Sequence, residues 1–246
     1  MAPSAVLDAC VLYPIGLGDT LLSVAEAGLY QVLWTDEILA ETARNIVEDT
    51  PDLTAAHLEK TFAAMRRAFP EAMVRGHEHL AESMTNHPKD RHVLAAAVAA
   101  QAGVVVTANL RHFPPQACDP HGIPVESHDQ FLCDAFERGP EVVPAVLRMQ
   151  AARKRRPVMS VEEMLDRLAI VVPDFVANDQ VFRAAVARKV TLRPKKRGRP
   201  LHGPSRSGLT AVICTEHQHR APVGAGVDGA GVDGAAGVRT SPPMRL

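Results

Sequence analysis

The chain has 246 residues, of which 46% are hydrophobic, 22% charged and 4% aromatic, a composition that excludes a fibrous repeat or a wholly disordered chain and suffices for one domain with an extension. Lys and Arg total 27 against 28 for Asp and Glu, a net charge of -1, which excludes a protein that holds nucleic acid by bulk charge. The charge is unevenly divided, because residues 196–246 carry seven basic and three acidic residues and leave 20 basic and 25 acidic in residues 1–195.

Short apolar runs alternate with helical periodicity over the first half of the chain. In chain order, the patterns predict a strand over residues 5–7, a helix from Gly18, a strand over residues 30–34, a helix from Thr35 or Asp36 to about Val47, a helix ending at Pro70, a helix from Lys89 to a stop at Gly103, and strands over residues 104–107 and 123–125. Because strands that alternate with helices form parallel sheets with right-handed crossovers, we predict an α/β fold with a central parallel sheet.

The strand signals stop after Glu126, and helical signals replace them. Ser127 predicts the cap of one helix, residues 142–153 a second, Ser160 with Glu163 a capping box, and residues 175–188 a fourth helix. Residues 196–246 contain nine Gly and five Pro, too little apolar surface for an ordered core. We therefore predict an α/β domain over residues 1–127, a helical extension over 128–195 and a disordered basic tail over 196–246.

The cysteines and the apolar runs bear on the compartment of the protein. The four cysteines are far apart in the sequence and form no C-x-x-C pair. This spacing is typical of a reducing compartment and argues against a structural zinc site in residues 1–195. The N-terminus lacks a basic segment, and the longest apolar run, residues 93–106, is interrupted by Gln101 and is shorter than the roughly 20 residues of a membrane span. We expect a soluble cytoplasmic protein.

Acidic side chains stand where a parallel sheet places its ligand site. Asp8 ends the first strand, Asp90 opens the helix before the strand at Val104, and Glu41 shares a helix face with the core residue Ile38. Carboxylates near a core are costly unless they are paired or bind a metal ion. Oxygen-only ligands favour Mg²⁺ or Mn²⁺ over zinc, so the three acids predict a site for one of these ions.

Four segments in order carry a resemblance to a known family: residues 6–14 (VLDACVLYP), 36–42 (DEILAET), 88–97 (PKDRHVLAAA) and 107–114 (TANLRHFP). Together they resemble the PIN-domain ribonucleases, especially the VapC-type toxins of bacterial toxin–antitoxin systems, one branch of which has a helical C-terminal extension. The resemblance implies a three-layer α/β/α fold and a Mg²⁺-dependent endoribonuclease, with Mn²⁺ as an alternative ion. It implies Asp8, Glu41 and Asp90 as catalytic and metal-binding residues, an RNA substrate and a cognate antitoxin. A homodimer is left open.

The fourth acidic position of the family has no acid here. Asn109 and His112 are the candidates for that place, and neither supplies a fixed negative charge. We count Asn109 among the catalytic candidates because its amide can orient water. His112, Arg91 and Arg111 are the candidate RNA-binding residues, with the basic run at residues 153–156 as a further source of positive charge.

Other functions remain as alternatives. The missing fourth acid favours a catalytically weak PIN fold that acts as a nucleic-acid-binding or regulatory module. A third hypothesis assigns the function to the tail, where residues 194–200 resemble an AT-hook and where Cys214, His217 and His219 could bind a metal ion only incidentally. A phosphatase of the haloacid dehalogenase type is disfavoured, because Cys10 stands where a second Asp is expected.

Overall fold

A four-stranded parallel sheet lies at the centre of the protein, whose computed structural model describes residues 2–50, 54–154 and 158–186. The strands are β1 (Ser4–Leu7), β2 (Gln31–Leu33), β3 (Val104–Val106) and β4 (Val125–Glu126), in the order β2-β1-β3-β4. β1 and β3 pair with Leu7 opposite Val106, and the interior residues of both strands are buried. Apolar runs without alternation are typical of parallel strands covered on both faces, so the predicted three-layer α/β/α fold is confirmed.

In the part of residues 2–121 that the structure describes, seven helices and three 3-10 turns accompany the sheet. The helices are α1 (Ala9–Leu12), α2 (Ile15–Glu26), α3 (Asp36–Asp49), α4 (Ala55–Ala68), α5 (Glu78–Ala81), α6 (Arg91–Ala99) and α7 (Pro115–Cys118), and the turns are Pro88–Asp90, Leu110–His112 and Asp119–His121. The Thr35 hydroxyl accepts a bond from the Ile38 amide and caps α3, as predicted. The short helix α1 was not expected, and α2 begins three residues before Gly18.

The predicted helix stop at Gly103 is wrong. α6 ends at Ala99, and Gln101 takes the left-handed backbone conformation with φ 49°. Gly103 instead lies against β1, because its amide donates to the Ser4 carbonyl at 2.9 Å and a Cβ there would come within 3.0 Å of the same oxygen. The glycine therefore permits close approach of two backbones, and the helix ends without it.

After the sheet, the described residues form five further helices: α8 (His128–Arg138), α9 (Val142–Arg153), α10 (Val161–Leu168), α11 (Pro173–Ala177) and α12 (Asp179–Val186). Ser127 caps α8, and Ser160 and Glu163 form the complete capping box of α10. The helix predicted over residues 175–188 is two helices, separated at Asn178. The predicted tail at residues 196–246 lies outside the described residues. No helix of the described part is both long and apolar enough to span a membrane.

The C-terminal helices pack on α2 through buried polar and aromatic contacts. The Thr20 hydroxyl donates to Gln150 Oε1 at 3.1 Å, and Lys154 Nζ lies 3.6 Å from Asp19 Oδ2, which is 2% exposed. The rings of Tyr30 and Phe131 meet edge to face at 4.9 Å. These helices therefore share one continuous core with the sheet domain.

Two glycines of α2 give a matched test of this packing. A Cβ at Gly18 would lie 2.6 Å from the Leu12 carbonyl oxygen, whereas a Cβ at Gly16 meets no atom within 4 Å. We predict that Gly18→Ala lowers the free energy of unfolding by about 1–3 kcal/mol, because backbone must shift. Gly16→Ala should raise it by about 0.5–1 kcal/mol through helix propensity. Urea unfolding of both variants measures the difference, and equal stabilities would contradict the close approach of α1 and α2.

Candidate active site

Asp8 follows β1 directly and is 2% exposed. Its Oδ2 atom accepts a bond from the Thr107 hydroxyl at 2.6 Å and a bond from the Cys10 thiol at 3.1 Å. Thr107 follows β3, so the parallel pairing of the two strands brings these side chains to the same edge of the sheet. The carboxylate of Asp8 is thus fixed in orientation by two donors that carry no charge.

Thr107 and Cys10 form a small hydrogen-bonded network behind Asp8. The Thr107 hydroxyl also accepts from the Asn109 amide at 3.0 Å, and the Ala108 amide donates to Cys10 Sγ at 3.2 Å. Burial, followed by the charge of Asp8, raises the pKa of the Cys10 thiol far above its ordinary value. Cys10 therefore stays protonated and acts as a donor to Asp8, not as a nucleophile.

Asp90 ends a 3-10 turn just before α6 and is 6% exposed. Its Oδ2 atom lies 2.6 Å from His112 Nδ1, and because a carboxylate accepts, the imidazole N–H donates. The Asn86 amide group donates to the Asp90 backbone carbonyl at 3.0 Å. Asp90 is thus held both through its carboxylate and through its backbone.

Glu41 lies in the middle of α3, with its side chain 32% exposed. Burial raises its pKa first, and the negative charges of Asp8 and Asp90 raise it further. His92 Nε2, at 3.6 Å from Glu41 Oε2, opposes this effect. Three acids far apart in the sequence are therefore close enough in the fold for Glu41 to respond to the charges of the other two.

This concentration of negative charge fits a divalent cation. Asp8 and Asp90 are buried and Glu41 is half-buried, so their mutual repulsion is weakly screened. The three side chains offer only oxygen atoms, the ligand type of Mg²⁺ and Mn²⁺. A different set is more compact: within the described ranges, the one group of at least three ligand-type side chains with donor atoms all within 4.8 Å of one another is His87, Asp90 and His112.

The two candidates for the missing fourth acid lie in different surroundings. His112, expected to contact RNA, is hydrogen-bonded to Asp90. Asn109 is half-buried at the end of β3, and its backbone amide bonds Thr107. Neither residue places a negative charge beside Asp8.

The basic residues predicted to contact RNA differ in their exposure and in their contacts. Arg91 follows Asp90, and its Nε atom lies 3.5 Å from the Asn86 carbonyl oxygen, whereas Arg111 is exposed beside His112. In the basic run at residues 153–156, Lys154 pairs with Asp19 at the junction with α2, and residues 155 and 156 lie outside the described part. Arg91 and Arg111 thus lie next in sequence to Asp90 and His112, respectively.

Sequence reasoning missed several neighbours of the acids. It overlooked the bonds of Thr107 and Cys10 to Asp8, the place of His87 beside Asp90 and the place of His92 beside Glu41. Thr107 had a usable signal, because it follows a predicted strand just as Asp8 does. The histidines had none, since a lone His beside a helix is more often structural.

The raised pKa of Glu41 predicts a pH-dependent stability in metal-free protein. Folding favours the protonated carboxyl, so the free energy of unfolding falls as the pH rises from the unfolded pKa of about 4 through the higher folded pKa. Glu41→Gln should therefore unfold at a higher temperature than the parent at pH 7 in EDTA, and the difference should vanish near pH 3. Glu48→Gln, exposed on the same helix, is the control. A Glu41→Gln protein no more stable than the parent at pH 7 would contradict repulsion among the acids.

Comparisons with known proteins agree with this architecture. The model of the PIN domain family matches residues 4–111, and that of the VapC50 C-terminal domain matches residues 128–178. A protein of Mycobacterium tuberculosis (strain ATCC 25618 / H37Rv) named "Putative ribonuclease VapC50" is 41% identical over 102 residues. That similarity covers 42% of this chain and 60% of the relative, less than two thirds of the relative's length. No solved structure matches.

The four sequence segments, the parallel sheet with acids at its carboxyl edge and the two matching family models all lead to one assignment. The chain carries a PIN domain over residues 4–111 and, behind it, a match to the VapC50 C-terminal domain over residues 128–178.

Proposed function

We propose that this protein is a metal-dependent endoribonuclease and the toxin of a toxin–antitoxin system, restrained by a cognate antitoxin protein. The observation that carries the proposal is the gathering of Asp8, Glu41 and Asp90 at the carboxyl edge of the sheet, where the charges of Asp8 and Asp90 raise the pKa of Glu41. The similarity to a protein named as a ribonuclease and the PIN domain match support the same activity.

In this proposal Asp8, Asp90 and Glu41 hold Mg²⁺, or Mn²⁺ in its place. When bound, such an ion would acidify a water and offset the charge that develops on the phosphodiester during hydrolysis. Thr107 and Cys10 orient Asp8, and His112 orients Asp90, so that both buried carboxylates are fixed before substrate arrives. Asn109 is the candidate for holding water at the end of β3.

Arg91 and Arg111 are the proposed RNA contacts. An acidic site repels a polyanion, and cations beside it offset that repulsion by pairing with the phosphates on either side of the cleaved bond. Arg111 is exposed and free to reach a strand, whereas Arg91 is partly engaged with the Asn86 carbonyl. Single-stranded RNA is the proposed substrate class, because unstacked nucleotides can enter a site at a sheet edge.

RNA cleavage by purified protein tests the proposal. Asp8→Asn and Asp90→Asn should each reduce cleavage of total RNA in Mg²⁺ by roughly 100-fold or more, the scale on which loss of one electrostatic stabiliser slows an enzyme. Asn keeps the size of the side chain and can still accept the Thr107 bond. Asp166→Asn, exposed on α10, is the matched control and should cleave like the parent.

Two outcomes would contradict the nuclease. Cleavage that persists in EDTA, or that survives in both site variants, would assign it to a contaminant or to another chemistry. Undiminished RNA binding without cleavage in Mg²⁺ or Mn²⁺ would instead support the catalytically weak PIN module, the alternative that the missing fourth acid favours.

Thr107 provides a finer test of how Asp8 is oriented. Thr107→Val removes the hydroxyl that donates to Asp8 at 2.6 Å while it keeps the branched shape, and we expect a loss of about tenfold in cleavage rate. Thr107→Ser restores the hydroxyl and should recover most of the rate. Single-turnover cleavage at saturating Mg²⁺ measures both, and equal rates in the Val and Ser variants would show that the hydroxyl has no part in orienting Asp8.

A further inference from the structure

A cluster of two imidazoles and one carboxylate lies on the side of Asp90 where His112 binds. The rings of His87 and His112 are stacked, with centroids 4.0 Å apart and planes 13° from parallel. His112 Nδ1 lies 2.6 Å from Asp90 Oδ2, and one donor atom from each of the three residues lies within 4.8 Å of the others. The backbone also joins them, since the His87 amide donates to the His112 carbonyl at 3.0 Å.

We propose that His87, Asp90 and His112 bind a divalent transition ion of the zinc class, at a site separate in chemistry from the oxygen-lined one. Two imidazole nitrogens and a carboxylate oxygen are a three-ligand set typical of Zn²⁺, with a fourth position left for water. Imidazole suits Zn²⁺, Cu²⁺ and Ni²⁺, whereas Mg²⁺ requires oxygen. This ligand set therefore disfavours Mg²⁺, the ion of the proposed nuclease.

The local structure allows the rings to turn toward a shared ion. Stacked rings direct their lone pairs in parallel planes, so one ring must rotate about its Cα–Cβ bond to coordinate together with the other. His87 is the ring held less firmly, because its Nδ1 accepts a single bond of 3.3 Å from the Lys89 amide. His112 Nδ1 faces Asp90 but carries the proton of their hydrogen bond, so to bind the ion the neutral ring must carry its proton on Nε2 instead and exchange the hydrogen bond for coordination.

Asp90 is common to this site and to the proposed catalytic one. An ion between the histidines and Asp90 engages the carboxylate that the nuclease requires, so occupancy of the histidine site inhibits Mg²⁺-dependent cleavage. This consequence rests on the proposed function, whereas the binding itself does not.

Metal binding without RNA tests the site. The full chain carrying Cys214→Ser, His217→Ala and His219→Ala serves as the background, so that the other candidate ligands do not contribute. Isothermal titration with Zn²⁺ and the visible absorption of bound Co²⁺ are the measurements. We expect one equivalent to bind, with affinity at least about tenfold weaker in both His87→Ala and His112→Ala.

His121→Ala, exposed in the Asp119–His121 turn, is the matched control and should bind like the background. Thermal unfolding confirms that each variant is folded before titration. The absence of binding to the background protein would overturn the proposal, as would equal affinity in the background, His87→Ala and His112→Ala proteins.

The inhibitory consequence has its own measurement. Zn²⁺ added to RNA cleavage in excess Mg²⁺ should inhibit the background protein, and His87→Ala should need at least about tenfold more Zn²⁺ for the same fractional loss of its own rate. Equal inhibition of both proteins would overturn the link to Asp90 while leaving the binding result intact. A protein that binds Zn²⁺ but cleaves no RNA would overturn the nuclease and not the site.

Discussion

The parallel pairing of β1 with β3 is the constraint on which the site depends. Leu7 lies opposite Val106, and the Asp8 amide donates to the Val106 carbonyl at 3.1 Å, so the residues that follow the two strands emerge side by side. The Thr107 hydroxyl then reaches Asp8 at 2.6 Å across 99 residues of sequence. Because both side chains are buried, this bond is made in surroundings where losing a partner is costly.

Negative charge is the second constraint, and the three acids of the site have different neighbours. Asp8 accepts hydrogen bonds from neutral donors, and Asp90 accepts one from an imidazole. Glu41 lies on a partly exposed face of α3, where its Oε2 atom is 3.6 Å from His92 Nε2. Among the contacts of the described residues, none of the three carboxylates forms an ion pair with Lys or Arg, although the charge of Arg44 lowers the pKa of Glu41. Such an arrangement fits the proposed divalent cation, and Asp90 is shared by the proposed oxygen-lined site and the proposed histidine site.

The C-terminal helices complete the core on the side of α2. Gln150 is 2% exposed and accepts a bond from Thr20, while Lys154 pairs with the buried Asp19, so two polar side chains of α2 have partners in the later part of the chain. The VapC50 C-terminal domain is therefore part of the structure that stabilises α2, the helix that follows Asp8 and α1.

The sequence by itself determined the parallel sheet, the caps at Thr35, Ser127 and Ser160, and the three acids, because strand runs, capping residues and acids at strand or helix ends are local patterns. Only the tertiary structure decided which partner each side chain takes. His112 bonds Asp90, Thr107 bonds Asp8, and Gln101, not Gly103, takes the left-handed conformation. Hydrogen bonds and close approaches between distant segments depend on how strands and loops pack, and no periodicity along the chain encodes them.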